Sequence, residues 1–167
     1  MALRNLLLSV FLVFTLIVVC MNRGYCFEEK MLQQCKAGKQ CKNLDLSFAD
    51  LSGADLSNGD LSGADLTGAN LSAANLSGAR LRDANLFGAN LSGANLTEAD
   101  LSDAELSDAN LTNANLTNAT LNDAELASAN MRGANLFGAD FSDATLHDAI
   151  WSDGTRCRAD AIGGCHR

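Results

Sequence analysis

The chain contains no proline and few aromatic residues: of its 167 residues, seven are Phe, one is Tyr and one is Trp. Aromatic side chains supply much of the buried area of an ordinary globular core, so their scarcity argues against such a core. Basic residues are also outnumbered, with 12 Lys and Arg against 20 Asp and Glu, giving a net charge of −8. This balance leaves no basic, aromatic surface, so we expect no direct binding of nucleic acid.

The residue combinations that carry out catalysis are missing as well. The two histidines, His147 and His166, are not arranged with any nucleophile, and no glycine-rich phosphate loop follows a strand. Serine recurs throughout the chain, so no single serine stands out. We therefore expect no enzymatic activity, no catalytic residue and no cofactor.

The dominant feature is one five-residue pattern, Ala-[Asp/Asn]-Leu-[Ser/Thr]-x, which occurs twenty-two times without an insertion over residues 45–151. Leu recurs at every fifth position from Leu46, and the exceptions are Met131, Phe141 and Trp151. Ala stands two residues before each of these positions from Ala49 to Ala149, with Gly59 as the one break. A period this strict indicates a repeat architecture.

A period of five residues fits neither an α-helix, which repeats near 3.6 residues, nor a β-strand, which repeats at 2. The Leu and Ala positions must nevertheless face one interior. A chain that turns a corner after each copy and closes after four copies meets this requirement, with Leu on the axis and Ala in the wall. Twenty residues then form one coil, and the stacked coils make a column about 26 Å long at about 4.8 Å per coil.

Residues 50–56, Asp-Leu-Ser-Gly-Ala-Asp-Leu, and the copies that follow them resemble the pentapeptide-repeat family. The resemblance covers about residues 43–155, and residues 151–155, Trp-Ser-Asp-Gly-Thr, are similar to the aromatic-x-Asp-Gly-Thr ending of many members. It implies an all-β fold, a right-handed quadrilateral β-helix. Most members have no assigned function, so the resemblance indicates a fold rather than an activity.

Residues 1–26 are predicted to be an export signal. Arg4 lies in a short basic start, and residues 6–21 are sixteen uncharged, mostly apolar residues. A bilayer span needs about 20, so export is favoured over a permanent anchor. Gly24 and Cys26 are small residues suited to a cleavage site, although no Ala-x-Ala is present. An uncleaved signal is the alternative, and it is the one expected route to a membrane.

The flanks of the repeat are predicted to be caps, because the open ends of stacked coils expose unpaired backbone groups. Residues 27–43 form the N-terminal cap, residues 44–151 the repeat and residues 152–167 the C-terminal cap. A short helix is expected at residues 28–39, with Met31, Leu32 and Cys35 on one side and Gly38 as its stop. At the other end, the apolar residues available to cover the last coil are Ile150, Trp151 and Ile162.

Four cysteines lie beyond the predicted signal, two before the repeat and two after it: Cys35, Cys41, Cys157 and Cys165. An even number of cysteines in an exported chain indicates disulfides. A bridge between the ends is excluded, because its Cα atoms must approach within about 7 Å. We therefore expect Cys35–Cys41 and Cys157–Cys165 bridges at the two caps. We expect no metal site, since His166 beside Cys165 provides too few ligands.

Residues twenty apart should stack on one face of the column. Two columns of Asn result, whose side-chain amides are expected to bond to one another and stabilise the stack. The first column is Asn70, Asn90, Asn110 and Asn130, and the second is Asn75, Asn95, Asn115 and Asn135. Phe87 and Phe137, on different faces, are expected to pack against neighbouring coils.

A candidate acidic interaction face consists of two neighbouring columns of aspartate. Its members are Asp60, Asp83, Asp100, Asp103, Asp123, Asp140 and Asp143. Stacked carboxylates about 4.8 Å apart repel by about 0.9 kcal/mol even in water. The face is therefore either a solvated surface that maintains solubility or a surface that meets a positive partner. Arg80 and Arg82 interrupt it near its start.

Three hypotheses for the function follow. The first is an exported, non-enzymatic structural or protein-interaction module that presents its acidic and Asn-ladder faces to a protein partner, which a positive charge would suit. The second is a topoisomerase-binding mimic of DNA, an activity known in part of the family that the sequence resembles. The third is binding of divalent cations by the Asp columns, which lack the loop geometry that calcium sites normally need.

The expected compartment separates the first two hypotheses. Export places the chain outside the cytoplasm, in a periplasm or secreted, whereas topoisomerases are cytoplasmic. Members of the family with signals also occur in cyanobacterial and plastid compartments, which adds the thylakoid lumen. The sequence predicts a monomer or weak self-association, since no large apolar patch is evident.

Overall fold

Each coil of the chain has four five-residue sides, so that residues twenty apart lie beside one another. In the computed structural model, which describes residues 29–158 and 160–165, parallel bridges join such residues from Gln40–Asp60 to Asn130–Ile150. Each side contributes a single bridge, and no longer strand occurs in the described ranges. The four-sided coil expected from the period, and the quadrilateral β-helix that the resemblance implies, are thus the architecture of the chain.

All five backbone N–H groups of the copy at residues 90–94 are hydrogen-bonded. The N–H of Leu91 donates to the carbonyl of Asn110 at 2.8 Å, and that of Gly93 to Thr112 at 2.9 Å, both in the next coil. The N–H of Asn90 donates to Ala69 in the previous coil at 2.9 Å. The N–H of Ala94 closes the turn to Leu91 at 3.0 Å. The remaining N–H, of Ser92, donates to the Asn90 side-chain oxygen at 3.2 Å.

The variable fifth position of the pattern is where the chain turns its corners. From Asn43 to Asp148 every residue at this position has a positive φ. A positive φ at only the third residue of a four-residue turn is the feature of type II turns, which favour Gly or Asn there. The turn therefore explains why Gly, Asn and Asp are frequent at this position, since these residues adopt the left-handed backbone conformation most readily.

The interior is a column of leucine. All Leu side chains on the axis from Leu46 to Leu126, together with Met131 and Leu146, are fully buried. The Ala residues of the wall are buried with few exceptions. Burial of a Leu side chain contributes about 2 kcal/mol, so this repeated position supplies the main apolar stabilisation of the fold.

The N-terminal end is covered by helix α1, Glu29–Gly38, close to the bounds expected from the sequence. Leu32 and Cys35 of α1 are buried against the first coil. Lys39 then adopts a left-handed conformation, with φ 53°. Its carbonyl accepts a hydrogen bond from the N–H of Asp60 at 2.8 Å, so α1 is joined directly to the first coil.

Gly59, the one break in the Ala column, lies where this connection passes. A Cβ atom on Gly59 would lie 2.9 Å from the carbonyl oxygen of Leu56 and 3.2 Å from that of Lys39. Real Cβ atoms rarely approach oxygen so closely. The missing side chain therefore makes room for the chain that leaves α1, which explains the exception in the sequence.

Cys41 takes the place of a leucine on the axis. Its side chain is fully buried, its N–H donates to the carbonyl of Asp60 at 2.7 Å, and Leu44 closes a turn onto its carbonyl at 3.1 Å. The repeated hydrogen-bond pattern is thus already present at residues 40–44, one side before the expected start at residue 44. The predicted Cys35–Cys41 disulfide is present, with Cα atoms 5.0 Å apart, and it links α1 to this first side.

At the C-terminal end the chain reverses direction. Arg156 pairs antiparallel with Ile150, and Ile162 pairs antiparallel with Thr145. We name residues 155–158 and 160–163 the return segment. The predicted Cys157–Cys165 disulfide, with Cα atoms 4.9 Å apart, holds it in place.

Two aromatic residues close the interior at this end. Phe141 and Trp151, both exceptions to the Leu pattern, contact each other with ring centroids 5.1 Å apart. Ile162 was expected to cover the last coil, but this expectation is wrong: its side chain is 59% exposed. The antiparallel pairing directs Ile162 outward, whereas Cys157 and Ala161 of the same segment are buried against the core.

The described part of the chain contains no helix with the length and apolar character needed to cross a bilayer. The predicted export signal, residues 1–26, lies outside the described residues, and the N-terminal cap is described only from Glu29 onward.

The positive φ of the turn position gives a test in one column. Gly93 has φ 65° and space for a Cβ, with no atom within 4 Å. Ala73, one coil away, has φ 54°. We expect Gly93→Ala to lower the free energy of unfolding by about 1 kcal/mol and Ala73→Gly to raise it by a similar amount. Denaturant titration measures both. Gly93→Asn should cost less, and a neutral Gly93→Ala would contradict the assigned turn.

Candidate interaction surface

The surface begins with the residue that precedes each Leu, which is Asp or Asn in most copies. Its side-chain oxygen accepts the one backbone N–H of the repeat that the coils leave unpaired, that of the following Ser or Thr, as in Asp55 and Ser57 at 3.1 Å. The hydroxyl of Ser57 donates to the same oxygen at 2.7 Å. Most of these polar side chains are therefore fixed by the turn, and the faces of the column are rigid.

The two Asn columns form hydrogen-bonded ladders, although in two different ways. The amide of Asn90 donates to Asn70 at 3.3 Å, and that of Asn110 to Asn90 at 3.3 Å, as expected. In the second column Asn95 donates to Asn75 at 3.2 Å. Asn115 and Asn135 instead donate to the hydroxyls of Thr97 and Thr117, each at 2.9 Å. The ladders connect neighbouring coils, which gives these Asn residues a structural role.

The predicted acidic face combines two kinds of position. Four of its residues occupy the exposed turn position with φ of 57–58°, namely Asp83, Asp103, Asp123 and Asp143. Asp60, Asp100 and Asp140 instead occupy the position before Leu and accept hydrogen bonds from the Ser two residues later. Local conformation thus accounts for aspartate at each site, but Asn or Gly would serve the turn equally well without charge.

Arginine neutralises only one end of the acidic face. Arg80 lies 3.8 Å from the carboxylate of Asp60. Arg82 lies 2.8 Å from Asp103 and 3.7 Å from Asp83. No ion pair joins Asp100, Asp123, Asp140 or Asp143 to a cation in the described part of the chain. The uncompensated charge therefore lies toward the C-terminal end of the face.

Hydrogen bonds donated by the Ser two residues later lower the pKa of several surface aspartates. The hydroxyl and the backbone N–H of Ser57 are the main causes for Asp55, whose pKa falls to about 2, with a further bond from Lys39. The equivalent Ser residues lower the pKa of Asp45, Asp50, Asp60 and Asp140. These five carboxyl groups therefore stay ionised to lower pH than an ordinary aspartate.

One stacked pair of glutamates lies outside the Asp and Asn columns named from the sequence. Glu105 and Glu125 are joined by a parallel bridge. Hydrogen bonding to Glu105 raises the pKa of Glu125, and the negative charge of Glu105 and slight burial raise it further. The spacing of twenty residues would have been sufficient to find this pair.

No group of three or more His, Cys, Asp or Glu side chains is arranged to hold a metal ion within residues 29–158 and 160–165. The acidic columns place one carboxylate per coil, whereas calcium needs six to eight oxygen ligands around one point. The geometry gives the divalent-cation hypothesis no support.

The exposed aromatic residues lie on opposite sides of the column. Phe137 was expected to pack against neighbouring coils, which is wrong, because 77% of it is exposed. Phe87 is 46% exposed, and Phe48, on the same face as Phe87, is 51% exposed. The ring of Phe48 lies over Gly68, where a Cβ would overlap its edge atoms. Phe48 thus does pack on a neighbouring coil, through a glycine.

The fold and the repeated surface define a capped solenoid of five-residue sides. The sequence matches the family model described as Pentapeptide repeats in eight copies, over residues 45–83, 64–103 and 104–143. Because this match spans more than half of the chain, the protein belongs to the pentapeptide repeat family. Its architecture is the right-handed quadrilateral β-helix of that family, which confirms the fold predicted from the sequence.

Several solved structures are similar to this chain. HetL, a pentapeptide repeat protein involved in heterocyst differentiation regulation from the cyanobacterium Nostoc sp. strain PCC 7120, is 33% identical, with a TM-score of 0.43. The match covers 70% of this chain and 63% of HetL, so this chain spans less than two thirds of that relative. No curated protein matches the chain.

Two further structures have comparable similarity. A pentapeptide repeat protein of the Arabidopsis thaliana thylakoid lumen is 32% identical over 74% of this chain and 85% of its own, with a TM-score of 0.36. A second Nostoc PCC 7120 protein is 36% identical over 71% of this chain and 78% of its own, with a TM-score of 0.41.

The Glu105–Glu125 pair predicts a pH-dependent stability. Since the pKa of Glu125 is raised above its ordinary value of 4.5, the stability it contributes is fully present below that value. It is lost as the pH rises through the raised folded-state pKa. We expect Glu125→Gln to raise the melting temperature at pH 7 and to change it little at pH 3.

Glu98→Gln is the matched control, because the residues twenty positions from it, Gly78 and Asn118, carry no charge. It should not reproduce the pH-dependent gain. Equal effects of Glu125→Gln at pH 7 and pH 3, measured by thermal melts, would show that the two carboxyls do not interact.

Proposed function

We propose that the chain is an exported, non-enzymatic structural and protein-interaction module that presents a rigid acidic face to a positively charged protein. The observation that carries this proposal is the uncompensated charge of Asp100, Asp123, Asp140 and Asp143 on one side of the column. Aspartate at the turn position has no conformational advantage over asparagine. The unpaired carboxylates of Asp123 and Asp143 stack at this position and repel one another, which favours a role beyond solubility.

Rigidity favours binding by such a face. The hydrogen bonds to Ser and Thr already fix the Asp side chains that precede Leu, so little side-chain entropy is lost when a partner binds. Complementary charge then gives fast association and strong dependence on salt. The face therefore suits a basic protein surface that is itself fairly flat.

The topoisomerase hypothesis is less well supported by the same observations. A mimic of duplex DNA needs negative charge distributed along its length, whereas Arg80 and Arg82 pair with Asp60, Asp83 and Asp103 at one end of the face. Export would also separate the chain from a cytoplasmic target.

The disulfides support the proposed compartment. Cys35–Cys41 and Cys157–Cys165 form at both ends of the solenoid, and disulfides persist in oxidising compartments and are rare in the cytosol. A periplasm, a thylakoid lumen and the exterior of the cell all meet this condition.

Export is tested by fractionation of cells that produce the chain with a C-terminal tag, followed by thiol labelling. We expect an extracytoplasmic chain, shortened by about 26 residues, with its four remaining thiols blocked. A full-length cytoplasmic chain with free thiols would refute export and favour the topoisomerase hypothesis.

The acidic face is tested with a triple variant, Asp100→Asn, Asp123→Asn and Asp143→Asn. Asn occurs at equivalent positions elsewhere, so the fold should persist. The probe is decalysine at low ionic strength, with affinity measured by fluorescence anisotropy. We expect the triple variant to bind about tenfold more weakly than the parent chain, since three nearby charges are removed.

The matched control removes the same number of charges from other faces, through Asp45→Asn, Asp50→Asn and Asp65→Asn. It should weaken decalysine binding by less than about threefold, because those carboxylates lie on other faces, at the opposite end of the column from Asp123 and Asp143. Equal losses in both variants would show that net charge, and not this face, attracts the probe.

A further inference from the structure

The two disulfides of the solenoid differ in burial. Cys35 and Cys41 are fully buried, deep in the N-terminal end of the column. At the other end Cys157 is 2% exposed, whereas Cys165 is only partly buried. A disulfide is reduced when a thiolate reaches one of its sulfur atoms. In the folded chain Cys165 is therefore the point at which a reductant can attack, and the Cys35–Cys41 bridge offers no equivalent point.

Few contacts hold the last described residues to the column. We name residues 160–165 the strap. Among the described residues, two backbone hydrogen bonds join the strap to the last coil. The N–H of Leu146 donates to the carbonyl of Ala161 at 2.9 Å, and the N–H of Gly163 donates to the carbonyl of Ala144 at 2.9 Å. Ala161 is also the one fully buried side chain of the strap.

The disulfide is the remaining attachment of the strap. It joins Cys165 to Cys157, eight residues earlier in the sequence. Cys157 is buried, and its N–H donates to the carbonyl of Ala149 at 2.8 Å. The disulfide thus closes a short loop and ties the strap to a residue that is itself fixed to the last coil.

The N-terminal disulfide is held differently. Cys35 belongs to α1, and the N–H of Cys41 donates to the carbonyl of Asp60 in the next coil at 2.7 Å. Because both cysteines are fully buried, α1 must leave the first coil before a reductant reaches either sulfur. Reduction at this end therefore requires unfolding of the N-terminal cap, whereas reduction at the C-terminal end does not.

We infer that the Cys157–Cys165 disulfide is a redox-sensitive latch, and that a dithiol reductant releases the strap from the last coil. One thiolate of the reductant attacks the sulfur of Cys165, the S–S bond breaks, and Cys157 leaves as a thiolate that takes up a proton. The second thiol of the reductant then displaces Cys165 from the mixed disulfide as a thiol. The reductant becomes a disulfide, and its two electrons pass to the two protein cysteines.

Release of the strap opens one side of the last coil. Without the disulfide the loop between residues 157 and 165 is no longer closed, which in the chain-entropy model raises the open population on the order of fiftyfold. The N–H of Leu146 and the carbonyl of Ala144 then lose their partners, and Ala161 leaves the core. The side at residues 145–149 changes from a paired side to an exposed backbone edge. This latch does not depend on the proposed function of the faces.

Selective reduction is tested on the purified chain with both disulfides formed, under conditions that keep it folded. Dithiothreitol is the reductant, iodoacetamide blocks thiols at timed intervals, and peptide mass spectrometry measures the labelled fraction of each cysteine. We expect Cys157 and Cys165 to be labelled at least about tenfold faster than Cys35 and Cys41, because only their bridge is accessible without unfolding. Equal rates for the two bridges would overturn the inference.

Release of the strap is tested with the double variant Cys157→Ala and Cys165→Ala, which lacks the latch and places no polar group in the core. Amide hydrogen exchange is measured by NMR in this variant and in the oxidised parent chain. We expect the amide of Leu146 to exchange at least about tenfold faster in the variant, since its acceptor lies in the strap. The amide of Leu96, in the middle of the column, is the internal control and should be unchanged.

Reduction of the parent chain repeats this test without a mutation. Exchange at Leu146 should become faster after dithiothreitol treatment and return to its first value after reoxidation. A Leu146 amide that stays protected in both the variant and the reduced parent would show that the strap remains in place, which refutes the latch. Faster exchange at Leu96 as well would show that the disulfide supports the whole column rather than the strap, which also contradicts it.

Discussion

The structure depends on how a chain that turns every five residues pairs all of its backbone N–H groups. Three of the five groups pair with neighbouring coils, one closes the turn, and one has no backbone acceptor within reach, as in residues 90–94. The side-chain oxygen of Asp or Asn accepts this last group. An unpaired N–H in a tightly stacked wall would cost about 1–3 kcal/mol at every repeat. The Asp or Asn that precedes Leu in most copies therefore completes the backbone pairing of the coil.

This requirement also determines the surface. Residues that complete the turn must be polar and must point outward, so rigid ladders arise on the faces as a consequence of folding. Only the charge of these side chains is free to vary, because Asp and Asn accept the backbone hydrogen bond equally well at these positions. The distribution of Asp over Asn, with uncompensated carboxylates toward one end of one face, is consequently where a binding function would be encoded.

Much of this could be predicted from the sequence. The exact period places Leu96 on the axis and stacks Asn90 on Asn70, because every coil has the same length and no insertion shifts the register. The local disulfides follow from the separation of the ends. Helix α1 was also predicted, since its apolar residues and the Gly38 stop are local features.

The ends could not be predicted to the same degree, because they are held by contacts that do not repeat. Cys41 occupies a Leu position although the residues around it do not match the pattern, and Gly59 is small because the chain from α1 passes beside it. The return segment pairs antiparallel, contrary to every other bridge in the coils, so Ile162 faces outward. The period gives no information about a segment that leaves it.

The twenty-residue coil has a consequence for how such a chain can change length in evolution. Duplication of four copies would lengthen the column and preserve the angle between the N-terminal helix and the C-terminal return segment. Duplication of one copy would rotate the return segment by a quarter turn about the column axis, relative to the N-terminal helix. The same surface would then point a bound protein in a new direction, so repeat number sets geometry as well as length.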